Sequence, residues 1–238
     1  MNLFYIENID TNNCILPEEE SKHCIKVLRF TKGSKLAIVD GKGNWYNAEI
    51  DEAHAKHCRF NIIEVIPEFN KRNFRIHLAV APTKNIERLE WMLEKCTEMG
   101  IDEISLIKTE HSERKIVKIE RLQKIIISAM KQSLKAYLPQ LNHIISFNEF
   151  IDKIAESNRY SHRFIAHCHE SEKQNLNKAY KKGEDILILI GPEGDFSIKE
   201  VELAKKNNFK ELTLSTSRLR TETAGVVACH SINFLNEV

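Results

Sequence analysis

The chain has 238 residues, 42% of them apolar, with 35 Lys and Arg against 34 Asp and Glu for a net charge of +1. That is an ordinary globular composition, without the uniform basic field that would by itself announce a nucleic-acid binder, so an RNA partner has to be met by local clusters of cations. No apolar run approaches the roughly 20 residues needed to cross a bilayer, and Met1-Asn2-Leu3-Phe4-Tyr5-Ile6-Glu7 lacks the basic-then-apolar order of a secretory signal.

The six cysteines, at 14, 24, 58, 96, 168 and 229, fall singly in different predicted elements. In a chain of this size that spacing predicts reduced thiols in a cytoplasmic protein. Residues 1 to about 66 read as small and β-rich. Strands are expected at Leu3 to Ile6, Lys35 to Val39, Trp45 to Ile50 and Cys58 to Ile66, forming a small barrel or curled sheet. A short helix is expected after Pro17, through Ser21 to Arg29, and Asp40-Gly41-Lys42-Gly43 is a strong turn signal. Pro67 to Asn73 is polar and non-periodic, the natural linker.

From Phe74 onward strands and helices alternate, the pattern of an α/β domain. A strand at Arg75 to Ala81 precedes a helix marked by Ile86, Leu89, Leu93 and Cys96, with Gly100 placed to end it. Ile104 to Ile107 is a strand, and Ile119, Leu122, Ile125, Ile126 and Ala129 mark a longer helix stopped before Pro139. Phe164 to Ala166 is a further strand. Five consecutive aliphatic residues, Ile186 to Ile190, then break into Gly191-Pro192-Glu193-Gly194-Asp195. Ser197-Ile198-Lys199-Glu200 is a capping box that starts a helix. Glu211 to Leu214 is a short strand, and the polar loop after it leads into a closing helix through Ala224, Val227, Ala228, Ser231 and Leu235.

Ligands in open α/β sheets settle beyond the carboxyl ends of strands, which places the site at the loops following Ile190 and Leu214. Two glycines around a rigid proline allow close backbone approach to a ligand. The spacing is neither that of a dinucleotide fingerprint nor that of a P-loop. In the second loop Thr221 is positioned to cap the closing helix, and Glu222 sits in its first turn, where negative charge is favoured. Arg218 and Arg220 stand just before that helix N-terminus, where its dipole disfavours cations. They are accounted for by a bound anion or by a carboxylate such as Glu193 or Glu222 between them.

Ile190-Gly191-Pro192-Glu193-Gly194, followed by Leu219-Arg220-Thr221-Glu222-Thr223-Ala224, resembles the RsmE family of bacterial methyltransferases acting on small-subunit ribosomal RNA, within the knotted SPOUT superfamily. His23-Cys24-Ile25-Lys26-Val27-Leu28-Arg29, Lys84, Glu94 to Gly100 and Gln132-Ser133 resemble the family's other motifs, so the likeness spans the chain. The resemblance implies an α/β fold in two parts. Residues 1–70 would be a PUA-like RNA-binding β-barrel, and residues 74–238 a SPOUT methyltransferase domain with a deep trefoil knot. It also implies a homodimer, S-adenosylmethionine as cofactor, no metal, and methylation of uridine N3 in 16S ribosomal RNA of the small subunit.

On that basis His167, Ile190, Gly191, Pro192, Gly194, Leu214, Ser215, Leu219, Thr223 and Ala224 are expected to hold the cofactor. Arg220 is expected to stabilise the uracil anion, with Glu222 or Glu193 as proton acceptor. Lys22, His23, Lys26, Arg29, Lys84, Arg114 and Lys135 are expected to meet RNA, with Lys71, Arg72 and Arg75 extending the basic surface. The chain departs from the family pattern at Ser215, where Gly is common, at Lys135, where Arg is common, and at Ser217-Arg218. Those departures keep open a second reading, an RNA-binding assembly protein without catalysis; a related methyltransferase of transfer RNA is a third. His167-Cys168-His169 with Glu170 hints at zinc, but no second Cys/His pair completes a tetrahedral set. The alternative there is a strand end with Cys168 buried.

Overall fold

A computed structural model describes residues 2–237. The chain groups into two units, residues up to Lys71 together with Ile127–Leu138, and Arg72–Ile126 together with Pro139 onward. The linker near residue 70 is therefore only one of the crossings between them.

In the first unit, β1 (Leu3–Tyr5), β2 (Lys35–Val39), β3 (Trp45–Glu52) and β4 (Arg59–Ile66) form a sheet in that order. β1 and β2 run parallel and the other pairs antiparallel. Two register shifts along β3 and β4 bend the ribbon. Helix α1 (Glu18–Lys22) passes directly into a π-helical turn, His23–Val27. Phe4, Leu16, Cys24, Leu36, Ile38, Ile50, Cys58 and Phe60 make one core. A second cluster joins Leu3, Ala37, Val39 and Trp45 to Met130 and Ala136. Those last two lie in the segment Ile127–Leu138, which is why that segment belongs here.

The second unit contains β5 (Ile76–Val80), α2 (Ile86–Met99), β6 (Glu103–Lys108), β7 (Gln140–Ser146), α4 (Phe147–Ala155) and β8 (His162–Ala166). It continues with β9 (Gln174–Asn175), α5 (Leu176–Ala179), β10 (Ile186–Ile190), α6 (Ile198–Lys206), β11 (Lys210–Thr213) and α7 (Thr221–Glu237). Between β6 and β7 runs α3 (Ile119–Gln132), which the division cuts at Ile126. Among the described residues the strands form one parallel sheet in the order β7-β6-β5-β10-β8-β11-β9.

Every residue of β5 and of β10 is buried, as expected for central parallel strands covered on both faces. The five-aliphatic run is thus the middle of the sheet, with β10 lying between β5 and β8. Its neighbours in space are strands made much earlier in the chain. Gly100 ends α2 at φ 104°, a left-handed conformation that suits glycine, and the Ser197–Glu200 capping box opens α6 with both of its hydrogen bonds in place.

β7, α4, β9 and α5 are not among the elements expected from the sequence pattern. β7 is an edge strand whose residues are half-exposed or exposed, so it lacks the alternation that marks a strand. α4 did carry a start signal, since the Ser146 hydroxyl accepts the Glu149 N–H.

A polar network lies buried across β5, β6 and the segment that leads into β8. His77 Nδ1 meets the Tyr160 hydroxyl at 2.6 Å and Nε2 meets Ser105 Oγ at 2.8 Å. Glu103, paired with Arg159 at 2.8 Å, lies 3.8 Å from the ring. Burial pushes His77 down to about 4, against the opposing pull of Glu103. The unfolded chain therefore binds a proton that the folded chain refuses between these values. Stability should be intact above about pH 6.5 and fall by about 3 kcal/mol as pH drops toward 4. Urea titrations across that range would measure it, and His77→Gln should flatten the slope; an unchanged slope would remove His77 from the acid response.

Candidate active site

A cleft of about 710 Å³ opens beyond the carboxyl ends of β8, β10 and β11, within the size range of small-molecule sites. Its walls are the loop Ile190–Glu193 and the loop Leu214–Thr221, with Ala166, His167 and Cys168 from the end of β8. The two loops are joined directly, because the Thr221 hydroxyl donates to the Gly191 carbonyl at 2.9 Å. Thr221 was expected to cap α7. Instead its hydroxyl locks one wall of the cleft to the other.

Beneath the first loop lies Phe196, fully buried, with its ring against Phe147 at a centroid distance of 5.5 Å. A Cβ at Gly191 would stand 3.1 Å from that ring, so the absence of a side chain lets the turn settle on it. At Gly194 a Cβ would come within 2.9 Å of His111, which is what fixes glycine there. Asp195, at φ 64°, holds the Cys168 N–H at 2.7 Å and so ties the end of β8 to the glycine loop.

The cleft gathers His167, Ile190, Gly191, Pro192, Glu193, Leu214, Ser215, Leu219, Arg220 and Ala224 from the residues picked out by sequence. Gly194, Glu222 and Thr223 lie outside the lining. Glu222 is buried at the start of α7, and its Oε1 lies 3.8 Å from Arg88 Nε on α2. Glu193 is exposed at the cleft mouth and accepts the Lys84 N–H at 3.0 Å. Among the described residues neither Arg218 nor Arg220 is paired with a carboxylate, and both are exposed on the cleft wall. Neither Glu193 nor Glu222 therefore lies between this pair of cations before the helix N-terminus, and both guanidinium groups face solvent.

His167 contributes an unusual acceptor. Its side chain is almost completely buried, and Nε2 meets Glu211 at 3.0 Å. Burial, aided by Lys173, holds the imidazole below its ordinary range against the pull of Glu211. Burial also acts on Glu211, but Ser171, Lys205 and His167 outweigh it and keep the carboxyl low. A neutral ring beside a carboxylate donates from Nε2, leaving Nδ1 a buried acceptor with no hydrogen-bond partner among the described residues. Sequence reading found His167 but missed Glu211, Asp195, Lys173 and Arg88. Acidic and basic residues in strands and loops carry no distinguishing pattern until the fold brings them together.

The zinc suggestion gives way at the same place. His167 is turned to Glu211, and His169 Nε2 meets the Phe196 carbonyl at 2.6 Å. Cys168 is exposed, not buried, because β8 ends two residues earlier.

Residues 70–233 match the RNA methyltransferase domain, and residues 16–63 match the RNA methyltransferase PUA domain. A probable rRNA-methyltransferase from Porphyromonas gingivalis is 43% identical and superposes with a TM-score of 0.92 over 100% of this chain and 99% of its own. The ribosomal RNA small subunit methyltransferase E of Neisseria gonorrhoeae, solved bound to S-adenosyl methionine, is 26% identical with a TM-score of 0.85, covering 99% and 98%. The protein of that name from Synechocystis is 28% identical over 89% of this chain and 70% of its own. The chain belongs to the RsmE family of RNA methyltransferases.

In this RsmE-family chain the expected RNA-facing residues divide between the units. Lys22, His23, Lys26 and Arg29 are exposed along α1 and the π-helical turn, beside an exposed Val27, and Lys135 lies in the same unit. Arg29 adopts φ 58°. Lys84 and Arg114 lie in the second unit, where the Lys84 ammonium pairs with Glu113 at 2.8 Å. Arg72 does not extend the basic surface. Its guanidinium is spent on the Gly100 carbonyl, Asn233 and Asp102, at 2.6, 2.7 and 2.5 Å, and it lies over Phe74. No helix of the described residues is long and apolar enough to cross a membrane.

Proposed function

We propose that this protein transfers a methyl group from S-adenosylmethionine to N3 of a uridine in 16S ribosomal RNA, during maturation of the small subunit in the cytoplasm. The observation that carries the reading is the closure of the Gly191 and Arg220 loops on one cleft, with an exposed arginine and an exposed carboxylate at its mouth.

When bound, the cofactor supplies a methyl already activated by its sulfonium charge, which leaves the protein the work of alignment and of handling the N3 proton. The residues fit it. Backbone groups of Ile190, Gly191, Leu214 and Leu219 would hold adenine and ribose, with His167 at the neighbouring strand end. Arg220 stabilises the negative charge that develops on the uracil as N3 loses its proton. Of the two candidate acceptors, Glu193 lines the cleft, whereas Glu222 faces Arg88. We assign the proton to Glu193. The uridine has to leave its stack to reach this position.

In this reading residues 1–70 form a PUA-like barrel that meets RNA phosphates through Lys22, Lys26 and Arg29, contacts that position the substrate without reading its sequence. Residues 74–238 form the SPOUT domain with its trefoil knot. The working form is a homodimer, supported by exposed Trp91 on α2 and Phe234 on α7, two helices that pack on each other.

The test is incubation with methyl-labelled cofactor and small subunits from a methylation-deficient strain, beside bulk transfer RNA. Label should enter 16S ribosomal RNA as N3-methyluridine. Label in transfer RNA alone would move the protein to a different substrate. Saturable RNA binding without cofactor heat in calorimetry would make it an assembly factor.

A further inference from the structure

The loop between β6 and α3 has no part in the chemistry assigned above, yet it is fastened to the glycine loop at several points. His111 Nδ1 meets the carbonyls of Gly194 and Asp195 at 3.0 and 3.1 Å. The Glu110 N–H donates to Glu200, which belongs to the α6 capping box, at 2.9 Å. Arg114, from the same loop, donates from Nε to the Thr83 carbonyl at 3.0 Å and from Nη2 to the Lys84 carbonyl at 2.6 Å. The N–H of that same Thr83–Lys84 peptide donates to Glu193 Oε1 at 3.0 Å. One planar peptide unit thus carries a guanidinium on its oxygen and a carboxylate on its nitrogen.

We propose that Arg114 is a positioning residue that orients the Glu193 carboxylate at the cleft mouth through the Thr83–Lys84 peptide. The physical argument has two steps. A peptide is rigid, so two hydrogen bonds from one planar guanidinium to successive carbonyls fix the direction of the N–H between them. A donor to a peptide oxygen also polarises the N–H on the other side and strengthens the bond it gives. Arg114 thereby sets where Glu193 can stand, although it is separated from the cleft by another loop. Two of its donor groups are already committed to carbonyls, which distinguishes it from the exposed lysines expected to meet RNA phosphates.

The proposal rests on the assignment of Glu193 to the transferred proton, and the tests separate the two. In the full-length protein, Arg114→Ala should lower kcat on the order of tenfold to a hundredfold. Its affinity for small subunits and for S-adenosylmethionine should stay within about twofold. Arg114→Lys, whose single ammonium cannot reproduce the fork, should fall between the two and guards against a variant that fails to fold. In a Glu193→Ala background, Arg114→Ala should cost nothing further, since both changes cut one connection. Independently of any turnover, amide exchange at Lys84 should quicken in Arg114→Ala and in Glu193→Ala. Unchanged Lys84 exchange in Arg114→Ala overturns the proposal. So does a loss of subunit affinity with kcat intact, which would make Arg114 an RNA contact. Quickened exchange with kcat unchanged in Glu193→Ala would keep the latch and dismiss Glu193 as proton acceptor.

Discussion

Arg220→Ala should reduce methyl transfer by a factor on the order of 10² to 10³, the range for removing one preorganised donor from a developing anion. Its guanidinium is exposed on the cleft wall and, among the described residues, holds no carboxylate in place, so the fold loses nothing when it is removed. The backbone of Leu219 and Arg220 stays anchored, because the Arg220 carbonyl accepts the Ala224 N–H at 2.8 Å and Thr221 remains bonded to Gly191. Thermal unfolding and calorimetry with S-adenosylmethionine should therefore match the parent protein. Single-turnover assays would isolate the chemical step. Near-normal turnover would place the stabilising charge elsewhere, with Arg218 the next group on the same wall.

The largest effect on stability is expected from Phe196→Ala. The ring is fully buried among Leu189, Ile107, Phe147 and Val201, and removing it leaves a cavity that rigid β-sheet walls close poorly. A loss of about 3 to 5 kcal/mol follows, read as a lower midpoint in urea with the slope retained. Because the Gly191 turn rests on this ring, cofactor affinity should fall as well, even at temperatures where the variant is folded. A loss below about 1 kcal/mol would mean that the turn and α6 repack around the gap.

Much of this arrangement was legible in the chain. The aliphatic run at Ile186 to Ile190, the glycine break after it and the Ser197–Glu200 box specify a buried strand, a turn and a helix by local chemistry alone, and each formed where expected. The order of strands was not legible. Nothing local in β5 says that its neighbour is a strand more than a hundred residues away, because pairing depends on which edges are available when the chain compacts. Thr221 shows the same limit at the scale of one side chain. Its position before a helix predicts a cap, but its hydroxyl finds the Gly191 carbonyl once β10 and β11 are both in the sheet. Arg72 lay in a stretch read as linker and basic surface, and it is a half-buried brace for Gly100 and Asp102. Polar residues are chosen by partners that only the tertiary structure supplies.

The placement of β10 between β5 and β8 also bears on how the protein is made. Ile186 pairs with both Ile76 and His162, so two strands emerge from the ribosome with a bare hydrogen-bonding edge and wait for the third. Contacts of such long sequence separation form slowly, and an unpaired apolar edge recruits the same strand in other molecules. Overproduction should consequently favour inclusion bodies, and slower synthesis at low temperature should raise the recovered yield.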